Sequence, residues 1–233
     1  MLAKPKVVDR KLDKAGCVEL PLNNDILIDG IDKAMKLGKQ RRFKQSLELI
    51  VSLKDINLKS NEGKFREVVY LPHMPSKEAK ICVIASGDLL LEAKKFGLRA
   101  ISREELSAMK GNKKTTRVLA NSCDWLLVSS DLMGLVGSIL GPALGPRGKV
   151  PIAISPKANL SDIINNYRRA VWARIRNEPQ VQCVVGTEDM KSNDIAENIN
   201  VLYNTIESKL GAAKIGKVYI KKTMGMPVEI PLR

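Results

Sequence analysis

The hydrophobic pattern changes twice along the chain, and these changes constrain the fold more than any other feature. Short apolar runs at 81–85 and 125–128 alternate with amphipathic segments of about ten residues, which predicts βαβ units around a parallel sheet. The flanking segments, 1–72 and 157–233, instead combine amphipathic helices with strands of strict apolar and polar alternation. Neither flank is long enough for a sound core by itself, so we predict one domain interrupted by another.

The interrupted domain is predicted to consist of residues 1–72 and 157–233, and the inserted domain of residues 73–156. Such insertions are tolerated because the two ends of a domain usually lie close together. The inserted segment has the pattern of a small Rossmann-like domain, so the fold class of the chain is α/β (α+β). A single continuous fold would also fit the pattern.

The chain is strongly basic, with 39 Lys and Arg side chains against 25 Asp and Glu and a formal charge of +14. A surplus of this size attracts polyanions, of which nucleic acid is the commonest. Six cations with no acid among them precede a predicted strand, and they are Lys33, Lys36, Lys39, Arg41, Arg42 and Lys44. A well-solvated surface can carry the same charge without any partner, so the charge alone leaves both interpretations open.

Two predicted strands carry polar groups on one face. The polar positions alternate with apolar residues and are Arg42, Lys44, Ser46 and Glu48 in the first strand and Lys217, Tyr219, Lys221 and Thr223 in the second. If both strands belong to one sheet, they form a polar platform beside the cationic segment. RNA-binding surfaces use cations for phosphates and short polar groups for hydroxyls and base edges. An ordinary solvent-facing sheet would show the same alternation.

No catalytic site, cofactor site or metal site is predicted. The glycine-rich stretch 141–149 departs from a phosphate loop, because Ala143 stands where a glycine is needed. It is predicted to be a rigid connecting loop whose Arg147 and Lys149 can contact a phosphate backbone. His73 is the only histidine and has no nucleophile elbow around it, and no acidic cluster has metal-ligand spacing.

The cysteine and hydropathy patterns predict a cytoplasmic protein. The four cysteines, Cys17, Cys82, Cys123 and Cys183, are far apart, which argues against a metal site or a disulfide framework and predicts four buried thiols in a reducing compartment. The longest uncharged run, 132–146, is shorter than a membrane span. The N-terminal residues lack the apolar stretch of a secretory signal, so no membrane contact is expected.

Several long motifs make the chain resemble the ribosomal protein L1 family, which belongs to the mobile side stalk of the large ribosomal subunit. The longest motif covers residues 133–151 and reads MGLVGSILGPALGPRGKVP. Shorter agreements are found at 42–49, 71–73 and 223–225, and the sequences of 167–174 and 177–182 resemble those of the archaeal branch. The resemblance covers nearly the whole chain.

This resemblance implies both a fold and a function. In the family, both chain ends build an α/β sandwich of the split βαβ type, and a Rossmann-like three-layer α/β domain is inserted through two hinge strands. The expected function is that of a non-enzymatic RNA-binding protein near the tRNA exit site, involved in release of deacylated tRNA and in repressing translation from its own mRNA. The expected partners are large-subunit ribosomal RNA, its own mRNA and exit-site tRNA. No cofactor is expected, the free protein should be a monomer, and its location should be the cytoplasmic ribosome.

The resemblance and the cationic segment together assign RNA-binding positions. They are Lys36, Lys39, Arg42, Phe43, Ser46, Glu48, Arg174, Arg176, Gln182, Lys217, Thr223, Met224 and Gly225. Arg147 and Lys149 are expected to make a secondary RNA contact from the inserted domain. Alternation, however, places Phe43 on the apolar face. Glu48 would have to accept from a ribose hydroxyl or a base amine, or orient a neighbouring arginine.

Two functions from other classes compete with this one. An enzyme would use the inserted domain to bind a nucleotide or a phosphorylated metabolite, but the sequence offers neither a base nor a nucleophile for it. A sequence-specific DNA regulator has only the charge in its favour, since the sequence shows no helix-turn-helix pattern and no zinc-ligand spacing.

Overall fold

The computed structural model describes residues 24–37, 39, 41–60, 62–75, 78–156 and 158–231. Cys17 and the helix end predicted at Gly38 lie outside these ranges. The described chain divides into two compact units. The outer unit contains the described residues up to Glu67 and from Ala173 onward, and the inserted unit contains Val68–Trp172.

Seven helices and ten strands occur in the described residues. In chain order they are α1 (Asn24–Leu37), β1 (Ser46–Leu53), β2 (Arg66–Tyr70), β3 (Ile81–Ile84), α2 (Asp88–Lys95), β4 (Arg99–Ile101), α3 (Arg103–Ala108), α4 (Lys113–Ser122), β5 (Trp125–Ser129), α5 (Met133–Leu144), β6 (Ile152–Ile154), α6 (Leu160–Arg168), β7 (Ala170–Arg174), β8 (Gln180–Thr187), α7 (Ser192–Leu210), β9 (Ile215–Lys222) and β10 (Val228–Ile230).

An antiparallel sheet in the order β10-β9-β1-β8 forms the centre of the outer unit. In β1, Leu47, Leu49 and Val51 are buried, while the residues between them stay partly exposed. The buried face meets the apolar stripe of α7, in which Ile195 and Ile199 have no exposed surface. Helix α1 packs beside α7 and against β9 and β10. Both helices therefore cover one face, and the opposite face carries half-exposed side chains.

A parallel sheet in the order β4-β3-β5-β6 forms the centre of the inserted unit. Every residue of β3 and β5 is buried, as expected for strands that are covered on both faces. One core contains Ile84 and Val128 and packs against α4 and α5. The other contains Val83 and Leu127 and packs against α2 and α6. This is the Rossmann-like arrangement that the apolar runs predict.

The inserted unit extends further than the predicted boundary at residue 156. Helix α6 lies beyond that residue, yet its Leu160 and Ile164 pack into the core with β3 and β5. Trp172 then stacks on Trp125, with the ring centroids 5.0 Å apart. Because these apolar side chains complete the inserted core, the chain leaves the unit only after Trp172. Strands β2 and β7, which pair as a two-stranded sheet, carry the chain into and out of the unit.

The first part of the glycine-rich stretch 141–149 is helical, so the prediction of a connecting loop is wrong there. Helix α5 continues through Pro142 and ends at Leu144. This continuation buries Ala143 and Leu144 in the same core as Leu140. The apolar burial outweighs the poor helix propensity of glycine and proline.

The prediction of unpaired thiols is wrong for two of the four cysteines. Cys82 on β3 and Cys123, just before β5, form a disulfide with their Cα atoms 5.7 Å apart. Their sequence separation of 41 residues hides the pair, because it is the pairing of β3 with β5 that brings them together. Cys183 is a buried thiol outside this disulfide, and burial raises its pKa to about 12.

Within the described residues, no helix combines the length and the apolar character that crossing a membrane requires. The same part of the chain holds no group of three or more His, Cys, Asp or Glu side chains arranged to bind a metal ion.

Candidate nucleic-acid interface

The open face of the outer sheet contains both strands that the sequence pattern predicts to be polar on one side. Strand β1 pairs with β9, so that Glu48 lies opposite Lys221 and Ile50 opposite Tyr219. On its other side β1 pairs with β8, which brings Gln182 beside Ile50. The two strands are therefore neighbours in one sheet, as a common platform requires.

Glu48 is held in the middle of this face by two neighbours. Its Oε2 atom accepts a hydrogen bond from Nε2 of Gln182 at 2.7 Å and lies 3.4 Å from Nζ of Lys221. The side chains of Glu48 and Lys221 are only 16% and 23% exposed, so water screens this pair less than a surface ion pair. Lys221 offsets the carboxylate charge, and Glu48 in turn holds the side chains of Lys221 and Gln182 in place. The sequence pattern did not predict that Gln182 and Lys221 are the partners of Glu48.

A cavity of about 460 Å³ opens beside Glu48. Its polar lining comes from β1, the end of β7, the following turn and β8, and consists of Glu48, Arg174, Arg176, Asn177, Glu178, Gln180 and Gln182. Burial lowers the pKa of Arg174, and the positive charges of Arg176 and Arg66 lower it further. A partly buried guanidinium group beside other positive charges favours an anion, and its planar fork matches a phosphate. The cavity brings together four of the predicted residues, Glu48, Arg174, Arg176 and Gln182.

Thr223 fastens the turn after β9 to the start of β1. Its amide donates a hydrogen bond to the carbonyl oxygen of Ser46 at 3.0 Å. Its hydroxyl donates to the same oxygen at 3.1 Å and accepts from the amide of Ser46 at 3.2 Å, since a hydroxyl can do both. The resemblance assigns Thr223 a direct RNA contact. The structure gives it a second task, which is to hold Met224 and Gly225 beside Ser46.

Three apolar side chains are exposed in the segments that flank these strands. Phe43 is 50% exposed, and Met224 and Met226 are 65% and 71% exposed. Strand β1 begins only at Ser46, so its alternation does not extend back to Phe43, and the interpretation of Phe43 as a core residue is wrong. Exposed aromatic and thioether groups are unfavourable in water and are suited to packing against unstacked bases.

The cations before β1 add positive charge to the same end of the sheet. All six are exposed, namely Lys33, Lys36, Lys39, Arg41, Arg42 and Lys44. Among the described residues, Lys44 is the only one of them with an ion pair, which it forms with Asp189. The carbonyl oxygen of Lys39 accepts a hydrogen bond from the side-chain amide of Gln45 at 2.9 Å. This bond holds the cationic segment next to the start of β1.

Lys217 lies on the open face but away from Thr223 and the turn after β9. It stands near the opposite end of β9 from Thr223. Its Nζ atom pairs with Glu229 at 3.1 Å, and the hydrogen bond to Glu229 raises the pKa of Lys217. The structure therefore does not bring Lys217 together with the turn after β9, and RNA contact by Lys217 stays a prediction.

Arg147 and Lys149 bind the backbone of the inserted unit. Arg147 donates to the carbonyl oxygen of Ala143 at 2.7 Å. Lys149 donates to the carbonyl oxygens of Ala120, at 2.9 Å, and Cys123. These carbonyls lie at or just after the C-terminal ends of α5 and α4, where a cation is favourable. Both side chains thus stabilise their own unit, and their RNA contact stays a prediction.

The sequence pattern missed a buried polar cluster at the edge of the outer core. Gln45 and Lys222 are only 1% and 7% exposed, and Glu188 bonds to both. One signal was available, because Lys222 follows Val218 and Ile220 on the apolar parity of β9. A lysine at such a position needs a buried partner.

Residues 33–226 match the model of the Ribosomal protein L1p/L10e family. The chain is 53% identical over 203 residues to the Large ribosomal subunit protein uL1 of Aeropyrum pernix, an alignment that covers 87% of this chain and 94% of that protein. It is 50% identical over 205 residues to the protein of the same name from Hyperthermus butylicus, again with 87% and 94% covered. The relative of that name from Methanothermococcus thermolithotrophicus is 38% identical over 211 residues, which cover 90% of this chain and 99% of the relative.

Proposed function

The chain belongs to the ribosomal protein L1 family, and on this premise we propose that its outer unit binds a folded junction of large-subunit ribosomal RNA at the side stalk, near the tRNA exit site. The family is one of structural ribosomal proteins, so the chain is not an enzyme and the nucleotide-binding alternative is set aside. Its location is the large subunit of the cytoplasmic ribosome.

The observation that supports this proposal most strongly is the set of polar and apolar groups on and beside the open face of the outer sheet. The face combines an arginine-lined cavity, a shielded carboxylate with its amide and lysine partners, and a fastened turn with exposed methionines. RNA presents phosphates, ribose hydroxyls and unstacked bases within a single folded surface. Each of these has a counterpart on the face.

We assign the groups as follows. Arg174 and Arg176 bind phosphate oxygens in the cavity, because guanidinium groups recognise phosphates in a bidentate manner. Glu48 and Gln182 read ribose hydroxyls or base amines, since an ionised carboxylate accepts only and an amide does both. Phe43 and Met224 pack against bases, and the lysines before β1 add attraction that does not depend on sequence.

Two further roles are part of the proposal. The protein takes part in release of deacylated tRNA from the exit site, and it represses translation by binding a stalk-like structure in its own mRNA. The repressor role follows if the open face recognises RNA by shape, because a second RNA with the same junction would then compete for the same side chains.

Binding to two RNAs across a salt series tests the main proposal. One RNA contains the stalk junction, and the other is a fully paired duplex of equal length. We expect tight junction binding that persists at salt concentrations that abolish duplex binding, because contacts to hydroxyls and bases do not release counterions. Equal affinities that fall along one common slope would reduce the interface to the attraction of a +14 charge.

Competition tests the regulatory role with the same reagents. A transcript of the protein's own leader should displace the stalk-junction RNA at comparable concentration, and a scrambled leader of equal length should not. If both leaders compete equally, repression through this face is excluded.

A further inference from the structure

A buried polar cluster lies where the chain enters β1 and leaves β9. It consists of Gln45, Glu188 and Lys222. Gln45 is 1% exposed and the Lys222 side chain 8%, and the Glu188 side chain is 25% exposed. Burying polar and charged groups to this depth is unfavourable unless they are hydrogen-bonded or paired, so each member of the cluster needs a bonded partner.

Glu188 bonds to both other members. Its Oε1 atom accepts a hydrogen bond from the backbone amide of Gln45 at 3.1 Å, and its Oε2 atom lies 3.4 Å from Nζ of Lys222. The amide of Glu188 also donates to the carbonyl oxygen of Gln45 at 3.1 Å. One carboxylate thereby joins the residue before β1 to the last residue of β9.

Each partner of Glu188 leads directly into an RNA-facing segment. The side chain of Gln45 holds the carbonyl oxygen of Lys39 at 2.9 Å and thereby the cationic segment. Lys222 immediately precedes Thr223, and its carbonyl oxygen accepts the amide of Gly225 at 2.9 Å, which closes the turn that carries Met224.

We propose that Glu188 is a positioning residue for RNA binding, which holds the segment before β1 and the turn after β9 in place before RNA arrives. This rests on the proposed function of the outer unit. Segments that are already ordered bind more tightly, because no conformational entropy is lost on association. By its charge alone, a carboxylate at this edge would repel a polyanion, so its benefit to binding comes through the two segments.

Two matched variants separate positioning from charge. Glu188→Gln keeps the shape of the side chain and an acceptor for the amide of Gln45, but it removes the charge that pairs with Lys222. Asp189→Asn neutralises the adjacent carboxylate, whose side chain is 57% exposed and pairs with the exposed Lys44. Both substitutions change the net charge by the same amount at neighbouring positions, so a weaker affinity of one variant than of the other is not an effect of net charge.

The measurements are affinity for the stalk-junction RNA, affinity for the duplex RNA, and amide hydrogen exchange in the free protein. Relative to Asp189→Asn, we expect Glu188→Gln to bind the junction about tenfold more weakly, or about 1.4 kcal/mol, with duplex affinity equal in the two variants. Exchange at Gln45, Thr223 and Gly225 should be faster in Glu188→Gln alone. A Lys222→Met variant removes the cation of the Glu188–Lys222 ion pair and keeps an apolar side chain of similar length. Exchange at Thr223 and Gly225 should be as fast in this variant as in Glu188→Gln.

The failures of the two proposals are distinguishable. If the unaltered protein prefers the junction but Glu188→Gln and Asp189→Asn bind it equally well and exchange at equal rates, the positioning role is overturned alone. If the unaltered protein binds junction and duplex alike, the proposed function is overturned, and the positioning role for RNA with it. Thermal unfolding of every variant checks that a loss of affinity is not a loss of fold.

Discussion

The two four-stranded sheets of the described residues are covered differently, and the difference shows where a ligand has side chains to bind. In the inserted unit, helices pack on both faces of a parallel sheet, and every residue of β3 and β5 is buried. In the outer unit, α1 and α7 cover one face, and every second residue of β1 stays partly exposed. A strand buried on both faces contributes only packing, whereas a strand with one open face presents alternate side chains to a partner.

The cations of the two units differ in the same way. In the inserted unit, Arg147 and Lys149 donate to backbone carbonyls at or near helix ends. In the outer unit, Arg174 and Arg176 line an open cavity. Positive charge in the glycine-rich motif therefore stabilises the unit that carries it, whereas positive charge beside the open sheet lines a cavity.

Reducing the disulfide between Cys82 and Cys123 should give the largest effect, and it should be confined to the inserted unit. The bond closes a loop across 41 residues, and closing a loop of this length restricts the unfolded chain by about 4 kcal/mol. We expect reductant to lower the free energy of unfolding of the inserted unit by about that amount. Both tryptophans of the chain, Trp125 and Trp172, lie in this unit, so tryptophan fluorescence during denaturant unfolding measures it.

The control for this experiment is a Cys82→Ala and Cys123→Ala double variant, in which reductant should change nothing. Junction RNA affinity should be the same for the oxidised and reduced protein, because the open sheet face belongs to the other unit. A parallel loss of RNA affinity on reduction would contradict the assignment of binding to the outer unit alone.

The sequence predicted those parts of the fold that depend on local periodicity. The alternation of β1 and the apolar runs of β3 and β5 identified one half-open sheet and one buried sheet. The pairing of Cys82 with Cys123 and the continuation of α5 through Pro142 were not predictable in this way. They depend on which elements pack together in space, and tertiary burial overrides local propensity there. The changes of hydrophobic pattern and the resemblance both predicted the interrupted order of the units, and packing of α6 set the end of the insertion.

The sequence predicted which positions belong to the candidate site better than it predicted the hydrogen bonds and ion pairs between them. Alternation and the family motifs pointed to Ser46, Glu48 and Thr223. They did not show that Thr223 bonds to the backbone of Ser46, 177 residues away in the sequence. Nor did they reveal the partner of Lys222. Such partners are set by strand register, and a single sequence gives the pattern within a strand but not the register between strands.

Replacing Thr223 by valine should have the next largest effect, on the outer unit alone. Valine keeps the size and branching of threonine and the backbone hydrogen bond to Ser46, but its side chain can neither donate to nor accept from Ser46, so the turn that carries Met224 loosens. We expect junction RNA affinity to fall by about 2 kcal/mol, the scale of two lost hydrogen bonds. Thr223→Ser, which keeps the hydroxyl, should restore most of it. Loss of affinity in the serine variant as large as in the valine variant would show that the hydroxyl is not what matters.

Replacing Arg174 by glutamine, compared with the same change at Arg147, tests the cations of the two units directly. Arg174→Gln should weaken junction binding by about tenfold, or about 1.4 kcal/mol, because it removes one of the two cavity guanidinium groups to which we assign a phosphate. Arg147→Gln should weaken junction binding less than Arg174→Gln does, and it should lower the free energy of unfolding of the inserted unit by about 1 kcal/mol, since it deprives the carbonyl of Ala143 of a donor. If Arg147→Gln weakens RNA binding without changing the free energy of unfolding, Arg147 contacts RNA. The difference that we draw between the cations of the two units is then wrong.

The smallest effect should come from single exposed lysines, and it bears on how far the RNA extends over the molecule. Lys36 in the last turn of α1 and Lys114 in the first turn of α4 are both exposed, and they lie in different units. Lys36→Gln should weaken binding of junction and duplex RNA alike and reduce the slope of log affinity against log salt by about one, as expected for one lost phosphate contact. Lys114→Gln should leave that slope unchanged. An equal reduction in both variants would mean that RNA also lies along α4, so that a unit with both faces of its sheet covered still binds through the outer surface of a helix.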